Sequence, residues 1–85
     1  MTRIGELYSW IVANPRASIS FRDFERLLIA CGFACERIRG SHKAYRHPGV
    51  DRLMVIQPRG KDAKPYQVQQ FLDMVEAFDL KLEDR

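Results

Sequence analysis

Two short turn sequences near the middle of the chain constrain its fold more than any other feature. Gly40-Ser41 fits a two-residue hairpin turn with glycine first, and Pro48-Gly49 places proline and glycine at the central positions of a second turn. The segments around these turns predict strands at residues 34–39, 42–47 and 52–57. Because so few residues separate them, consecutive strands must pair antiparallel, and we expect a three-stranded meander.

Apolar residues at helical spacing predict two helices before the strands and one after them. The first ends before Asn14-Pro15, because a residue that precedes proline disfavours helix. Its apolar stripe consists of Ile4, Leu7, Tyr8, Ile11 and Val12. The second is predicted at residues 21–31, with Ser20 capping its start and Gly32 ending it. The third begins at Pro65, and its stripe consists of Val68, Phe71, Leu72, Val75 and Phe78.

The order of these elements predicts an α+β fold. Residues 59–64 are polar, contain a glycine and are predicted to form a loop. The apolar stripes require the helices to cover one face of the sheet and leave the other face open. A three-stranded antiparallel sheet with helices on one face and basic hairpins is the architecture of double-stranded-RNA-binding domains. With 85 residues, 46% of them hydrophobic, residues 1–85 should form one domain, in which residues 1–14 add an extra N-terminal helix.

The chain carries no pattern typical of export or membrane insertion. No basic segment followed by an apolar one opens it, and its apolar runs are much shorter than the ~20 residues of a membrane span. Cys31 and Cys35 are predicted to be buried small hydrophobic residues, since nothing else indicates an oxidising compartment. We therefore expect a soluble, cytoplasmic protein.

Positive charge is concentrated in one third of the chain. Residues 36–64 contain eight Lys and Arg against three Asp and Glu, a net charge of +5, whereas the whole chain has +3. The positive field must therefore be local, as on a face that binds a polyanion. The side chains proposed to bind RNA are Arg37, Arg39, Ser41, Lys43, Arg46, Arg59, Lys61 and Lys64.

His42 follows the first turn directly and lies within this basic segment. RNA carries its own nucleophile, the 2′-hydroxyl, so its cleavage needs only a proton acceptor, a proton donor and cations that stabilise the phosphorane. An unperturbed imidazole, with a pKa of ~6.5, suits proton transfer near neutral pH, and no metal is obligatory. The second proton carrier stays open among His47, Lys43, Tyr45 and water. Strand alternation makes His47 a poor direct partner, because it lies on the opposite face from His42.

Other chemistries find little support in the sequence. Two cysteines and two histidines occur in order at Cys31, Cys35, His42 and His47, but the middle segment is too short for a zinc finger and the histidines lie on opposite faces of a strand. No nucleophile elbow, phosphate-binding glycine loop or dinucleotide motif is present. We therefore expect neither a metal nor another cofactor.

Several of these motifs together resemble the HicA family of bacterial toxins. The resemblance spans residues 20–80 and rests on Cys31-Gly32-Phe33, the run from Arg39 to Pro48, Gln57-Pro58 and the run from Lys64 to Val68. It implies a double-stranded-RNA-binding-like fold and a small mRNA-cleaving ribonuclease of a type II toxin-antitoxin pair. It also implies that His42 in the Gly-Ser-His motif is catalytic, and that a HicB-like antitoxin inhibits the enzyme.

Two functions remain as alternatives. The chain is either an endoribonuclease toxin that uses His42, or a non-catalytic RNA-binding module or toxin relic in which the same cations hold RNA.

Overall fold

The predicted meander is present in the structure, a computed structural model in which residues 3–82 are described. Its strands lie in the order β1 (Ala34–Arg39), β2 (His42–Arg46) and β3 (Met54–Ile56), all antiparallel. Arg39 and His42 face each other across the first turn, where Gly40 has a φ of 60°, the left-handed conformation that a glycine-first turn needs. β3 is shorter than predicted because Val50 turns into the core and residues 51–52 bend before the chain rejoins the sheet.

A β-bulge in β1 sets which side chains share a face. Cys35 pairs with Tyr45 and Arg37 with Ala44, so Glu36 is the extra residue of the bulge. In a regular ladder Glu36 would lie opposite Tyr45, on the face that the helices cover. The bulge places Cys35 at that position instead, and the Glu36 carboxylate accepts a hydrogen bond from Arg46 Nε at 2.9 Å.

Three helices accompany the sheet, and each starts or ends at a residue that the sequence indicated. They are α1 (Ile4–Ala13), α2 (Phe21–Ala30) and α3 (Pro65–Ala77). The Ser20 side chain accepts a hydrogen bond from the Asp23 amide at 3.0 Å, as predicted for the cap of α2. Beyond α2, Gly32 has a φ of 95°, and a Cβ there would lie 3.0 Å from the ring of His47. Glycine is therefore required at this position by both backbone and packing.

The core lies between the helices and the inner face of the sheet. It includes Tyr45, Met54 and Ile56 from the strands, and Phe24 and Phe71 meet edge to face at 5.8 Å between ring centres. From α1, the buried residues are Leu7 and Ile11. The predicted stripe was wrong at Val12, which is 50% exposed because it lies on the far side of that helix from the core.

The predicted loop at residues 59–64 is a second, smaller hairpin. It consists of β4 (Pro58–Arg59) and β5 (Asp62–Ala63), joined by a turn in which Gly60 has a φ of 62°. The segment before α2 extends this small sheet, since the Phe21 amide donates to the Lys61 carbonyl at 2.8 Å and the Ala63 amide to that of Ile19 at 2.9 Å. This pairing is long-range, so the local sequence gave no sign of it.

The two cysteines differ in environment. Cys31 is 2% exposed, as predicted, and burial raises the pKa of its thiol to about 11. The prediction that Cys35 is buried was wrong, because β1 is an edge strand whose residues are all exposed. Among residues 3–82, no helix combines the length and the apolar character needed to span a bilayer.

Candidate functional site

His42 lies at the rim of a shallow depression on the open face of the sheet. The residue begins β2, is exposed, and faces Arg39 across the turn. Alternation along β2 places Ala44 on the same face, and Ala44 in turn lies between Arg37 and Val55 on the neighbouring strands. The depression is lined by Arg37, Arg39, His42, Ala44, Leu53 and Val55.

The guanidinium groups of Arg37 and Arg39 are available to an anion. Both residues are exposed, and within residues 3–82 neither side chain has a hydrogen-bond or ion-pair partner. Arg46 also lies on this face but is paired with Glu36 at 2.9 Å, so part of its charge is already compensated. The two unpaired guanidinium groups can therefore hold phosphate oxygens beside the imidazole of His42.

A hydrogen-bonded chain fixes the turn that carries His42. Gln57 Nε2 donates to Ser41 Oγ at 3.3 Å, and Lys64 Nζ donates to Gln57 Oε1 at 3.1 Å. The backbone amide of Gln57 donates to Gln67 Oε1 at 3.0 Å, and the Gln67 side chain is buried at 6% exposure. Gln57 thus ties the Gly40-Ser41 turn to the start of α3. Gln57 entered the prediction only through the Gln57-Pro58 motif of the family resemblance and without a role at the site, because its contacts with Ser41 and Lys64 are set by the fold.

Lys43 lies on the opposite face from His42. Its Nζ contacts Glu25 Oε2 at 2.8 Å and lies over the ring of Phe21, 5.7 Å from the ring centre. The Tyr45 hydroxyl donates to the same carboxylate oxygen at 2.6 Å. Burial, together with this hydrogen bond, raises the pKa of Tyr45 above its ordinary value of 10.0. Of the four candidate proton carriers, Lys43 and Tyr45 are therefore engaged with α2 and separated from His42 by the sheet.

His47, the other candidate proton carrier on a side chain, makes its contacts at the second turn and with the core. Its Nδ1 accepts a hydrogen bond from the Gly49 amide at 2.8 Å, and its ring meets that of Phe33 edge to face at 5.1 Å. The imidazole thus stabilises the second turn, away from the depression. The two histidines lie on different sides of the sheet, in agreement with the alternation of β2.

The remaining predicted contacts lie outside the lining of the depression. Arg59 and Lys61 are exposed on the β4–β5 hairpin, whereas Ser41 and Lys64 belong to the chain of hydrogen bonds through Gln57. Of the eight predicted contacts, Arg37 and Arg39 line the depression with His42. In the described part of the chain, no group of three or more His, Cys, Asp or Glu side chains is suited to hold a metal ion.

Comparison with known proteins matches residues 21–76 to a family described as the HicA toxin of bacterial toxin-antitoxin systems. The match covers about two thirds of the chain and runs from the first residue of α2 to the last turn of α3, so it includes the sheet and His42 but not α1. Neither the curated proteins nor the solved structures contain a match to this chain. The family match over most of the chain, with the predicted α+β fold, shows that the chain belongs to the HicA family of bacterial toxins, which act with an antitoxin partner.

Proposed function

We propose that the chain is an endoribonuclease toxin that cleaves mRNA in the cytoplasm without a metal ion, through His42. The observation that carries the proposal is the exposed imidazole of His42 in the same depression as two guanidinium groups that have no partner in the described part of the chain, residues 3–82. Membership of a toxin family adds support, because cleavage of mRNA stops protein synthesis and so arrests growth.

The proposed reaction is an internal transesterification. The 2′-oxygen forms a bond to the adjacent phosphorus while the bond from phosphorus to the 5′-oxygen breaks. One product ends in a 2′,3′-cyclic phosphate and the other begins with a 5′-hydroxyl. The proton of the 2′-hydroxyl passes to the imidazole of His42, and water protonates the departing 5′-oxygen. The imidazolium then returns its proton to the hydroxide that remains, which restores both water and the neutral histidine.

Arg39 is proposed to stabilise the charge that develops on the phosphorane. It lies directly opposite His42 in the ladder, and directly opposed residues have Cβ atoms only ~5 Å apart. A guanidinium stays protonated and donates two parallel hydrogen bonds to phosphate oxygens. The pair thus provides a proton acceptor and an anion-stabilising group on adjacent strands.

The antitoxin partner is proposed to be HicB-like and to cover this basic face. Arg37 and Arg39 are exposed and unpaired within residues 3–82, so an acidic surface on the partner would match them and block access to His42. Attraction between opposite charges speeds association and is screened by salt. The association rate of the two proteins should therefore fall as salt is raised, and a rate that does not depend on salt would contradict this docking surface.

A second function, a non-catalytic RNA-binding module or inactive toxin of the same fold, is favoured by one observation. His42 is the only side chain lining the depression that can both accept and donate a proton, because arginine remains protonated. Without a second proton carrier, the same surface binds RNA without cutting it.

Digestion of an mRNA in a buffer containing a metal chelator separates the two functions. If the chain is an enzyme, wild type yields 2′,3′-cyclic phosphate ends, and His42→Ala lowers the rate ~10²–10⁴-fold while RNA affinity and the circular dichroism spectrum persist. His47→Asn is the matched control, since asparagine keeps an acceptor for the Gly49 amide. It should retain cleavage. If wild type binds RNA but never cleaves it under these conditions, the enzyme hypothesis is refuted and the binding module stands.

A further inference from the structure

We propose that the depression beside His42 is a subsite for one unpaired nucleobase, so that the chain selects single-stranded over paired RNA. The assignment of this subsite to RNA rests on the proposed function. The base would lie against Ala44 and Val55, with its flanking phosphates on Arg37 and Arg39.

The floor of the depression is apolar although no helix covers it. Ala44 lies at the centre of a row that crosses all three strands, between Arg37 on β1 and Val55 on β3. Its small side chain creates the depression, because the neighbouring side chains rise higher above the sheet. Val55 is 46% exposed and Leu53 is partly exposed beside it. Ala44 is itself only 9% exposed, and Leu53 and Val55 also line a neighbouring groove with side chains of α3, so the apolar surface open to a base in the depression is mainly that of Val55. The flat face of a base would remove this surface from water.

The charges around the floor match a single nucleic acid strand. Arg37 and Arg39 are two residues apart on one strand, a separation of ~7 Å, and the bulge lies before Arg37 rather than between them. Their guanidinium groups therefore form a row along the same side of the apolar floor. A strand whose phosphates follow this row presents its base to Ala44 and Val55 and its ribose to His42.

Paired RNA cannot use such a floor. In a duplex, the faces of the bases are stacked on one another, and only groove edges, phosphates and 2′-hydroxyls are presented to a protein. An unstacked base offers its face to side chains, which is how single strands are commonly bound. The subsite therefore discriminates by base accessibility, whereas the arginines alone hold both forms of RNA.

Val55→Ser tests the subsite by removing apolar surface from the floor without changing charge. The probe is 2′-O-methyl RNA of mixed sequence, which cannot be cleaved because its nucleophile is blocked, used as a single strand and as a duplex. Val55→Ser should weaken single-strand binding about tenfold, or ~1.4 kcal/mol, and leave duplex binding unchanged. Ile38→Ser is the matched control, because Ile38 is 63% exposed on the opposite face of the same sheet. It should bind both probes as wild type does.

A second measurement needs no variant. Single strands that carry one abasic nucleotide at successive positions should bind wild type less tightly at one position than at the others. Equal affinity for all abasic strands, or equal affinity of wild type for single strand and duplex, would overturn the proposal. So would a Val55→Ser protein that loses affinity for the antitoxin but not for RNA, since the floor would then be a protein-docking patch. These assays measure binding, so absent cleavage would refute the proposed enzyme without affecting this result.

Discussion

Replacement of Tyr45 by phenylalanine should destabilise the protein by removing one strong hydrogen bond from the core. Tyr45 is 3% exposed, and its hydroxyl donates to Glu25 Oε2 at 2.6 Å. Hydrogen bonds to charged groups contribute ~1.5–3 kcal/mol. Lys43 remains a partner of the same oxygen at 2.8 Å, so the Glu25 carboxylate is not left unpaired in Tyr45→Phe. We therefore expect the free energy of unfolding to fall by ~1.5 kcal/mol, at the lower end of this range. For a domain of this size, that lowers the melting temperature by roughly 6–12 °C.

Urea unfolding followed by circular dichroism measures this loss directly. Tyr66→Phe is the matched control, since Tyr66 is 59% exposed and its hydroxyl makes only one long hydrogen bond, accepted from Gln67 Nε2 at 3.3 Å, so its loss should stay below ~0.5 kcal/mol. Combining Tyr45→Phe with Glu25→Gln should cost less than the sum of the two changes, because Tyr45→Phe removes the hydrogen bond that Glu25→Gln weakens by replacing the charged acceptor with a neutral one. A loss for Tyr45→Phe no greater than for Tyr66→Phe, or strict additivity with Glu25→Gln, would refute this account of the contact.

The same contact predicts how stability depends on pH. The pKa of Tyr45 is raised in the folded protein, chiefly by burial and also by Glu25, so the folded state retains the proton more strongly than the unfolded chain. This contribution is fully present below pH 10.0, the ordinary pKa, and is lost as the pH rises towards the raised value. Wild type should therefore lose stability above pH 10 more steeply than Tyr45→Phe, as measured by urea unfolding at successive pH values. Parallel curves would contradict the raised pKa.

Cysteine accessibility, glycine geometry and phosphate contact each provide a further test. A thiol reagent at pH 8 should modify the exposed Cys35 quickly and Cys31 only after unfolding, because burial raises the pKa of the Cys31 thiol to about 11. Rapid modification of both thiols in the folded protein would contradict the burial of Cys31. Gly32→Ala should lower the free energy of unfolding, measured by thermal melting, by ~2 kcal/mol, and Gly60→Ala should lower it by only ~1 kcal/mol because a Cβ at Gly60 meets open space. A larger loss for Gly60→Ala than for Gly32→Ala would contradict the close packing of His47 on Gly32. Arg39→Ala should reduce by ~1 the slope of log RNA affinity against log salt, and an unchanged slope would exclude a phosphate contact.

The helix boundaries and the first hairpin could be predicted because each depends on residues close together in the chain. Ser20 caps α2 through an amide three residues away, and Gly40 supplies the backbone conformation of a two-residue turn. The late start of β3 at Met54 and the β4–β5 hairpin could not be predicted in the same way. They depend on Val50 entering the core and on pairing with the segment around Ile19, both of which are long-range contacts.

The residues of the candidate site, too, could be predicted only where the local sequence determines their position. The Gly-Ser-His motif and strand alternation indicated His42 and separated it from His47. The role of Gln57 was missed, because its value lies in contacts with Ser41 and Lys64 that no local pattern encodes. Lys43 looked equivalent to the arginines in the sequence, yet it is bound to Glu25 of α2.

The sequence alone determined the order of helices and strands, the turn that presents His42 and the concentration of positive charge, since short-range sterics and composition suffice for these. Tertiary structure decided which charges are free. Glu25 and Glu36 each pair with one cation, and the bulge in β1 leaves Arg37 and Arg39 together on the open face. Whether a cation is available to a ligand depends on which carboxylates the fold brings near it, and that is a property of three-dimensional packing rather than of charge count.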